Sequence, residues 1–243
     1  MTCPLDVSRL TPRVPVASKL VTMPPHTPHA VRVQQVLASP RVRLLHNFLS
    51  AEEAAALLAL SEPLFERSPV RSVATDRRTS STATLMGRAA ANVHVRRVRQ
   101  RIAFFSEYEL DMLEPLQVVR YTPGQKYEAH HDYFDLCDFP QRPRRHLTFL
   151  IYLNQLDEKD GGWTEFPRLN LRIQPRAHTA LAFNDVLDSG MDDERTEHVG
   201  SPPTRGVKYA INCWIRAGDP PGMLSRRKQG KLARVDHFGK GVA

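Results

Sequence analysis

Two histidines and an aspartate fall within three positions of the stretch Tyr127-Glu128-Ala129-His130-His131-Asp132-Tyr133. On a β-strand, side chains alternate between faces, so His130 and Asp132 point one way and His131 the other. An imidazole and a carboxylate so placed, joined by a second imidazole from a neighbouring strand, form a facial two-histidine, one-carboxylate set. That set suits iron(II) and leaves coordination positions open for an oxo-acid and dioxygen. The triplet alone arises easily in a chain with 10 histidines, so the reading depends on a third ligand. His146, His178 and His198 are the candidates. His146 adjoins Arg144 and Arg145, His178 lies near Arg176 after Pro175, and His198 precedes a Gly-Ser-Pro-Pro turn that can fold it toward a barrel mouth.

The strand after that turn carries a second chemical group. Lys208, Ala210, Asn212 and Trp214 share one face, and Val207, Tyr209, Ile211, Cys213 and Ile215 share the other. Alternation alone favours the Val/Ile face as the core, with Lys208 in solvent. Turned inward, Lys208 would be a buried cation that needs an anion, and a dicarboxylate would supply one.

The elements that must position these groups follow from hydrophobic pattern. Residues 1–30, broken by prolines, read as an irregular or disordered lead-in. A short strand is expected over 42–48. Ser50 and Glu53 then form a capping box that opens a helix over 51–60. Residues 67–86 are polar, and periodicity does not decide between strands and a loop. Val95, Val98, Ile102 and Phe105 recur at helical spacing, with Arg96, Arg97, Arg99 and Arg101 off that stripe and expected on its solvated face. From residue 116 the pattern changes to short strands over 116–121, 127–133, 147–153, 168–173, 179–183 and 207–215, divided by Gly- and Pro-containing turns. The fold class is therefore mainly β with supporting N-terminal helices. One domain over 31–218 is followed by a basic tail, 219–243, with Arg226, Arg227, Lys228, Lys231, Arg234 and Lys240.

Bulk properties exclude several classes. The 243 residues contain three cysteines, Cys3, Cys137 and Cys213, with no CxxC pair, which argues against a disulfide framework or a structural zinc site. No apolar run reaches the roughly eighteen residues of a membrane span, and the start lacks a signal-peptide pattern, so a soluble, intracellular protein with no membrane partner is expected. A formal charge of +8 speaks to association and leaves nucleic acid open as a partner without favouring it.

Six segments, in order, carry a resemblance: Arg78-Thr79-Ser80-Ser81, Leu116 through Tyr121, Gly124 through Asp132, Thr148 through Leu153, Gly161-Gly162-Trp163-Thr164-Glu165-Phe166-Pro167, and Gly206 through Trp214. In register they resemble the catalytic domain of the prolyl 4-hydroxylase family, across about residues 42–216. The resemblance implies a double-stranded β-helix (jelly-roll) core. It also implies iron(II) held by His130, Asp132 and His198, and 2-oxoglutarate anchored at its far carboxylate by Lys208 with help from Tyr121, so that the Lys208 face turns inward. Dioxygen is the second co-substrate, with ascorbate as reductant. Tyr127, Arg145 and Trp214 match positions lining a peptide groove, and Arg78 and Ser80 match the start of a mobile segment that closes over it. Three positions depart from the family pattern: Ala129 for a proline, Trp163 for a small or acidic residue, and Arg216 where a histidine is often found. Trp163 and Arg216 bear on peptide preference.

The implied partner is a proline-containing peptide, since an aromatic groove suits a proline ring in a polyproline II segment. Arg145, with Arg142 and Arg144 beside it, would hold peptide carbonyls or an acidic residue. Two other readings stand beside this one. The first keeps the cofactors and places a nucleic-acid base or another protein side chain in the site. The second is a catalytically silent peptide-binding barrel, which would have no need of His130, Asp132, His198 and Lys208 together.

Overall fold

The structure, a computed structural model, describes residues 30–68, 77–133, 144–187 and 189–217, and the backbone of 5–6 and 18–21. Fourteen strands and two α-helices follow in this order: β1 (Leu5–Asp6), β2 (Ser18–Val21), β3 (Val31–Leu37), β4 (Val42–His46), α1 (Ala51–Ser61), β5 (Glu66–Arg67), β6 (Ser81–Thr84), α2 (Val93–Ser106), β7 (Gln117–Tyr121), β8 (Tyr127–His130), β9 (Arg144–Tyr152), β10 (Thr164–Phe166), β11 (Leu171–Ile173), β12 (Ala180–Asn184), β13 (His198–Gly200) and β14 (Lys208–Ala217). The larger sheet runs β2-β3-β4-β12-β9-β14-β7-β6-β5, and the smaller runs β1-β11-β10-β13-β8. The two sheets form a double-stranded β-helix.

Two cores explain the architecture. Ile211, Cys213 and Ile215 of β14 join Phe149 and Ile151 of β9 against Val95, Val98, Ile102 and Phe105 of α2. The other face of the same sheet contributes Tyr121, Leu150, Tyr152 and Ala210, which meet Phe166 and Leu171 of the smaller sheet inside the barrel. Because helices cover one face and a sheet the other, both faces of β14 are buried, and Lys208 is only 2% exposed. The expectation from alternation that Lys208 is solvated is thereby corrected. Alternation separates the two faces, but it says which is wet only when one of them is wet.

Local sequence sets the helix ends. Both halves of the capping box form: the Glu53 N–H donates to Ser50 Oγ at 3.0 Å, and the Ser50 N–H donates to Glu53 Oε2 at 3.0 Å. Asn92 caps α2, and Glu107 ends it in a left-handed conformation. The arginines of α2 do not all face solvent. Arg101 is 2% exposed and makes two hydrogen bonds to Glu53, at 2.9 and 2.8 Å, with a third to the Phe48 carbonyl at 2.6 Å. Arg99 donates to the carbonyls of Leu110, Leu113 and Glu114. The charges of these two arginines are spent on fastening α2 to α1 and to the segment before β7.

Other boundaries also moved. The strand expected over 168–173 begins only at Leu171, because Pro167–Leu169 forms a 3-10 turn closed by Asn170 with φ 48°. The strand expected over 147–153 starts three residues earlier, where Arg144 and Arg145 pair with Ala217 and Arg216. Strand pairing reaches into the segment expected to be an irregular lead-in, where Ser18–Val21 lies antiparallel to β3. The polar stretch 67–86 supplies β6, and its residues 69–76 lie outside the described residues, as do the basic tail and Arg142. Among the described residues, no helix is long and apolar enough to cross a membrane.

Candidate metal centre and co-substrate pocket

The pairing of β8 with β13 puts His130 directly opposite His198. Asp132 lies two residues past the end of β8, so the strand alternation that singled it out does not operate there. Its position comes instead from Arg145, whose Nη1 donates to the Asp132 carbonyl at 3.1 Å. The carboxylate still reaches both rings: Oδ1 lies 3.7 Å from His130 Nε2, and Oδ2 lies 3.7 Å from His198 Nε2. One donor atom from each residue falls within 4.8 Å of the others. Of the three histidines weighed for the second imidazole, His198 is the one brought here. His146 faces Tyr108 through its Nδ1 at 3.4 Å, and the backbone of His178 receives the N–H groups of Phe48 and Leu49.

Backbone carbonyls orient both rings. His130 Nδ1 meets the Glu128 carbonyl at 2.8 Å, and His198 Nδ1 meets the Thr196 carbonyl at 3.0 Å. Each imidazole therefore carries its proton on Nδ1 and offers the Nε2 lone pair inward, the arrangement that a metal-binding histidine requires. Burial, then the neighbouring His198, pushes His130 down to about 3, so its ring is neutral. Burial alone would raise the Asp132 carboxyl, but His198, His130 and Arg145 outweigh it and keep the group ionised. Tyr127 stacks on His130 with ring centres 3.5 Å apart, and Phe183 meets His198 edge-on at 5.0 Å. Two imidazole nitrogens and one carboxylate on a buried, aromatic-walled floor fit a divalent transition metal with positions left open.

A pocket runs from this cluster to Lys208, lined by Tyr121, Thr148, Leu150, Thr164 and Phe183. The Lys208 ammonium lies 5.5 Å from the centre of the Tyr121 ring and 5.6 Å from that of Tyr152, with Thr164 Oγ1 at 3.5 Å. No carboxylate of a described residue comes within 4 Å of it. Burial pulls it down to about 7, opposed only by Glu165. A buried ammonium with no counter-ion is costly, and it marks a place built for an anion. The Gly161-Gly162 pair shapes this end. Both have φ 73°, and a Cβ would meet the Pro202 carbonyl at 2.7 Å from position 161 and Leu156 Cδ1 at 2.5 Å from position 162. Only glycine lets this turn close on the loop that leads into Lys208.

Beside the cluster, Arg145 lies 3.8 Å over the Trp214 ring and makes a two-pronged ion pair with Glu114 at 2.7 and 2.8 Å. Arg216 donates to the same carboxylate at 2.6 Å. Much of the Arg145 guanidinium, expected to reach for peptide, is thus engaged with Glu114, Trp214 and the Asp132 carbonyl. Arg144 is likewise engaged, donating to the Gly190 carbonyl at 2.8 Å. Arg78 lies 4.8 Å over Tyr127 and donates to Ser80 Oγ at 3.0 Å, both residues being buried in the barrel wall next to Tyr121. Sequence reasoning missed Glu114, Thr148 and Asp185. Thr148 alone left a trace, as the single threonine in the run Leu147 to Leu153.

A buried two-histidine, one-carboxylate cluster inside a double-stranded β-helix, facing an unpaired lysine, defines the class of 2-oxoglutarate-using iron oxygenases. Residues 116–216 match the 2OG-Fe(II) oxygenase superfamily. Prolyl 4-hydroxylase 1 of Arabidopsis thaliana is 32% identical over 206 residues, which span 76% of this chain and 72% of that protein. The viral collagen prolyl hydroxylase of Paramecium Bursaria Chlorella virus-1, solved with 2-oxoglutarate, aligns with TM-score 0.61 and 27% identity over 73% of this chain and 96% of its own. A Trichoplax adhaerens prolyl hydroxylase solved with a hypoxia inducible factor peptide shares the fold, with TM-score 0.52 and 23% identity over 72% of this chain and 83% of its own. The chain belongs to the prolyl 4-hydroxylase family of iron(II), 2-oxoglutarate-dependent dioxygenases.

Proposed function

We propose that this protein hydroxylates peptidyl proline, with His130, Asp132 and His198 holding iron(II) and Lys208 anchoring the far carboxylate of 2-oxoglutarate. The observation that carries this reading is the Lys208 ammonium, buried without a carboxylate partner, at one end of a cavity whose other end gathers two imidazoles and Asp132. Iron bound there would supply the redox chemistry by which dioxygen gives one oxygen atom to 2-oxoglutarate, forming succinate and carbon dioxide, and the other to a substrate C–H bond, forming the alcohol. Lys208 fixes the co-substrate by a charge-assisted hydrogen bond. The Tyr121 hydroxyl adds a second donor, and burial holds that phenol protonated. Phe183, Phe166 and Leu150 exclude bulk water from the floor of the site.

Tyr127 and Trp214 border the metal end, where the parts of their rings not covered by His130, Arg78 and Arg145 would meet a proline ring in an extended peptide. Arg145 acts chiefly by holding the Trp214 ring and the Asp132 backbone, and Arg78 and Ser80 brace Tyr127 and Tyr121 from behind. Ascorbate is assigned as the reductant that restores iron(II).

Incubation with iron(II), ascorbate, 2-oxoglutarate and a panel of proline-rich peptides tests the reading by mass spectrometry. One oxygen atom added to a peptide, with matching succinate, is the expected result, and His198→Ala loses both products. Unchanged turnover in His198→Ala would refute the ligand set. Oxygen added to an oligonucleotide in a parallel reaction, with none on any peptide, would refute the substrate.

A further inference from the structure

The Thr148 hydroxyl touches two carboxylates at once. Its oxygen lies 2.8 Å from Asp132 Oδ2 and 2.9 Å from Asp185 Oδ2, all three residues being buried. A threonine hydroxyl carries one proton, so it donates to only one of them. The other contact needs a proton on a carboxyl group, because two bare lone pairs at that distance repel. Asp132 is ionised as a candidate metal ligand among two imidazoles and Arg145. Asp185 has no cation of a described residue within 4 Å, is 0% exposed, and has its other oxygen, Oδ1, buried without a partner. Burial, then the nearby Asp132 charge, raises its carboxyl well above the usual range. The proton therefore sits on Asp185.

We infer that Asp185 is a positioning residue: as a neutral acid it donates to Thr148, which commits the Thr148 proton to Asp132 Oδ2 and leaves Oδ1 as the oxygen that faces the metal. The inference rests on the metal-site reading above and extends it by two residues. The backbone holds Asp185 in place for this task, since its N–H donates to the His146 carbonyl at 2.8 Å and its carbonyl accepts from the Asp193 N–H at 3.0 Å. Thr148 is fixed within β9, opposite Phe183 of β12 and Trp214 of β14. A carboxylate with one oxygen tied back binds metal through the other alone, which keeps more of the coordination sphere open to co-substrate.

Cobalt(II) titration of the full chain, followed by its visible spectrum, measures the effect without turnover. Asp185→Ala and Thr148→Val are each expected to weaken cobalt binding about tenfold, as loss of a ligand's supporting hydrogen bond does. Asp185→Asn, whose amide still donates to Thr148, should stay within about twofold of wild type, while Asp185→Leu, of comparable size but without a donor, should weaken binding as Asp185→Ala does, a contrast that a purely space-filling role would not produce. Infrared difference spectra between wild type and Asp185→Asn should contain the carbonyl stretch of a protonated carboxylic acid at neutral pH. Equal weakening in Asn and Ala, wild-type affinity in Thr148→Val, or no such infrared band would each overturn the inference. If Asp185→Ala does not fold, Thr148→Val and the infrared band still decide. A wild-type protein that binds no cobalt would sink the metal reading, and the infrared band would then test the Asp185 proton by itself.

Discussion

Lys208 and Tyr121 stand opposite each other in β14 and β7, with the ammonium 5.5 Å from the ring centre. The pairing gives the cation an aromatic neighbour and no anion, so its charge is only half sustained near neutrality. With a pKa of about 7 in the empty site, the group is about nine-tenths neutral at pH 8. A bound dicarboxylate restores the charge, so binding takes up a proton. Calorimetry of 2-oxoglutarate binding in buffers of different ionisation enthalpy should show uptake near zero at pH 6, rising to about 0.9 proton at pH 8. Flat uptake across that range, or the same rise in Lys208→Met, would contradict the assignment.

The same lysine makes the empty protein less stable than it need be. Its folded pKa lies below the ordinary value of 10.5, so the unfolded chain binds more protons between pH 7 and 10.5. Stability therefore rises with pH across that window, and the penalty is fully present below pH 7. A shift of this size corresponds to about 5 kcal/mol. Lys208→Met should accordingly be more stable than wild type at pH 6 without ligand, by up to several kcal/mol, while losing all stabilisation by 2-oxoglutarate. Denaturant melts at pH 6, with and without co-substrate, measure both effects, and a less stable methionine variant would count against the burial cost.

Glu114 gathers Arg145 and Arg216 at 2.6 to 2.7 Å and so ties the wall at Trp214 to the Asp132 backbone. Burial would raise its carboxyl, but the bonds to Arg145 and Arg216 prevail and hold it below the ordinary 4.5. A depressed folded value means that the stabilisation is complete above pH 4.5 and disappears as pH falls through the folded value. Glu114→Gln should then cost on the order of 2 kcal/mol at pH 7 and progressively less below pH 4. Steady-state kinetics should show a several-fold higher KM for peptide with little change for 2-oxoglutarate. A variant whose stability deficit does not shrink in acid would show that the carboxylate charge is not what holds the two arginines.

How far the sequence discloses the site differs from residue to residue. His130 was legible because a metal-capable side chain falls within a strand signature, whereas His198 was one of three candidates, favoured by the turn after it and by the family resemblance. Asp132 was found by an alternation argument that does not operate where it sits, since β8 ends at His130 and two residues of β9 hold it instead, Arg145 at its backbone carbonyl and Thr148 at its carboxylate. The inward turn of Lys208 was beyond periodicity, because a strand buried on both faces has no wet side to read. Asp185 carried no mark, since an acid at the end of a strand ordinarily faces water, and its meaning appears only when β9 brings Thr148 beside it. The helical stripe of α2 was plain, whereas the burial of Arg101 depends on a carboxylate 48 residues away in α1.

That last pair makes the sharpest stability test away from the site. Arg101 is 2% exposed and spans Glu53 and the Phe48 carbonyl, so it joins both helices to the turn behind β4. Glu53 is shared: the same Oε2 that meets Arg101 also accepts the Ser50 N–H of the capping box. Removing the guanidinium takes two hydrogen bonds and the opposite charge from a buried carboxylate, and breaking one side of a buried pair costs about 3 to 5 kcal/mol. Arg101→Met keeps most of the volume and should lower stability by about 3 kcal/mol, on the order of 6 to 12 °C in Tm for a chain of this size. Because Arg101 touches no residue of the cavity, turnover measured well below the melting range should match wild type. The double variant Arg101→Met, Glu53→Gln removes the stranded charge as well, and it should be more stable than Arg101→Met alone. If the double variant is instead weaker by the sum of the two single losses, the ion pair contributes nothing beyond its separate hydrogen bonds.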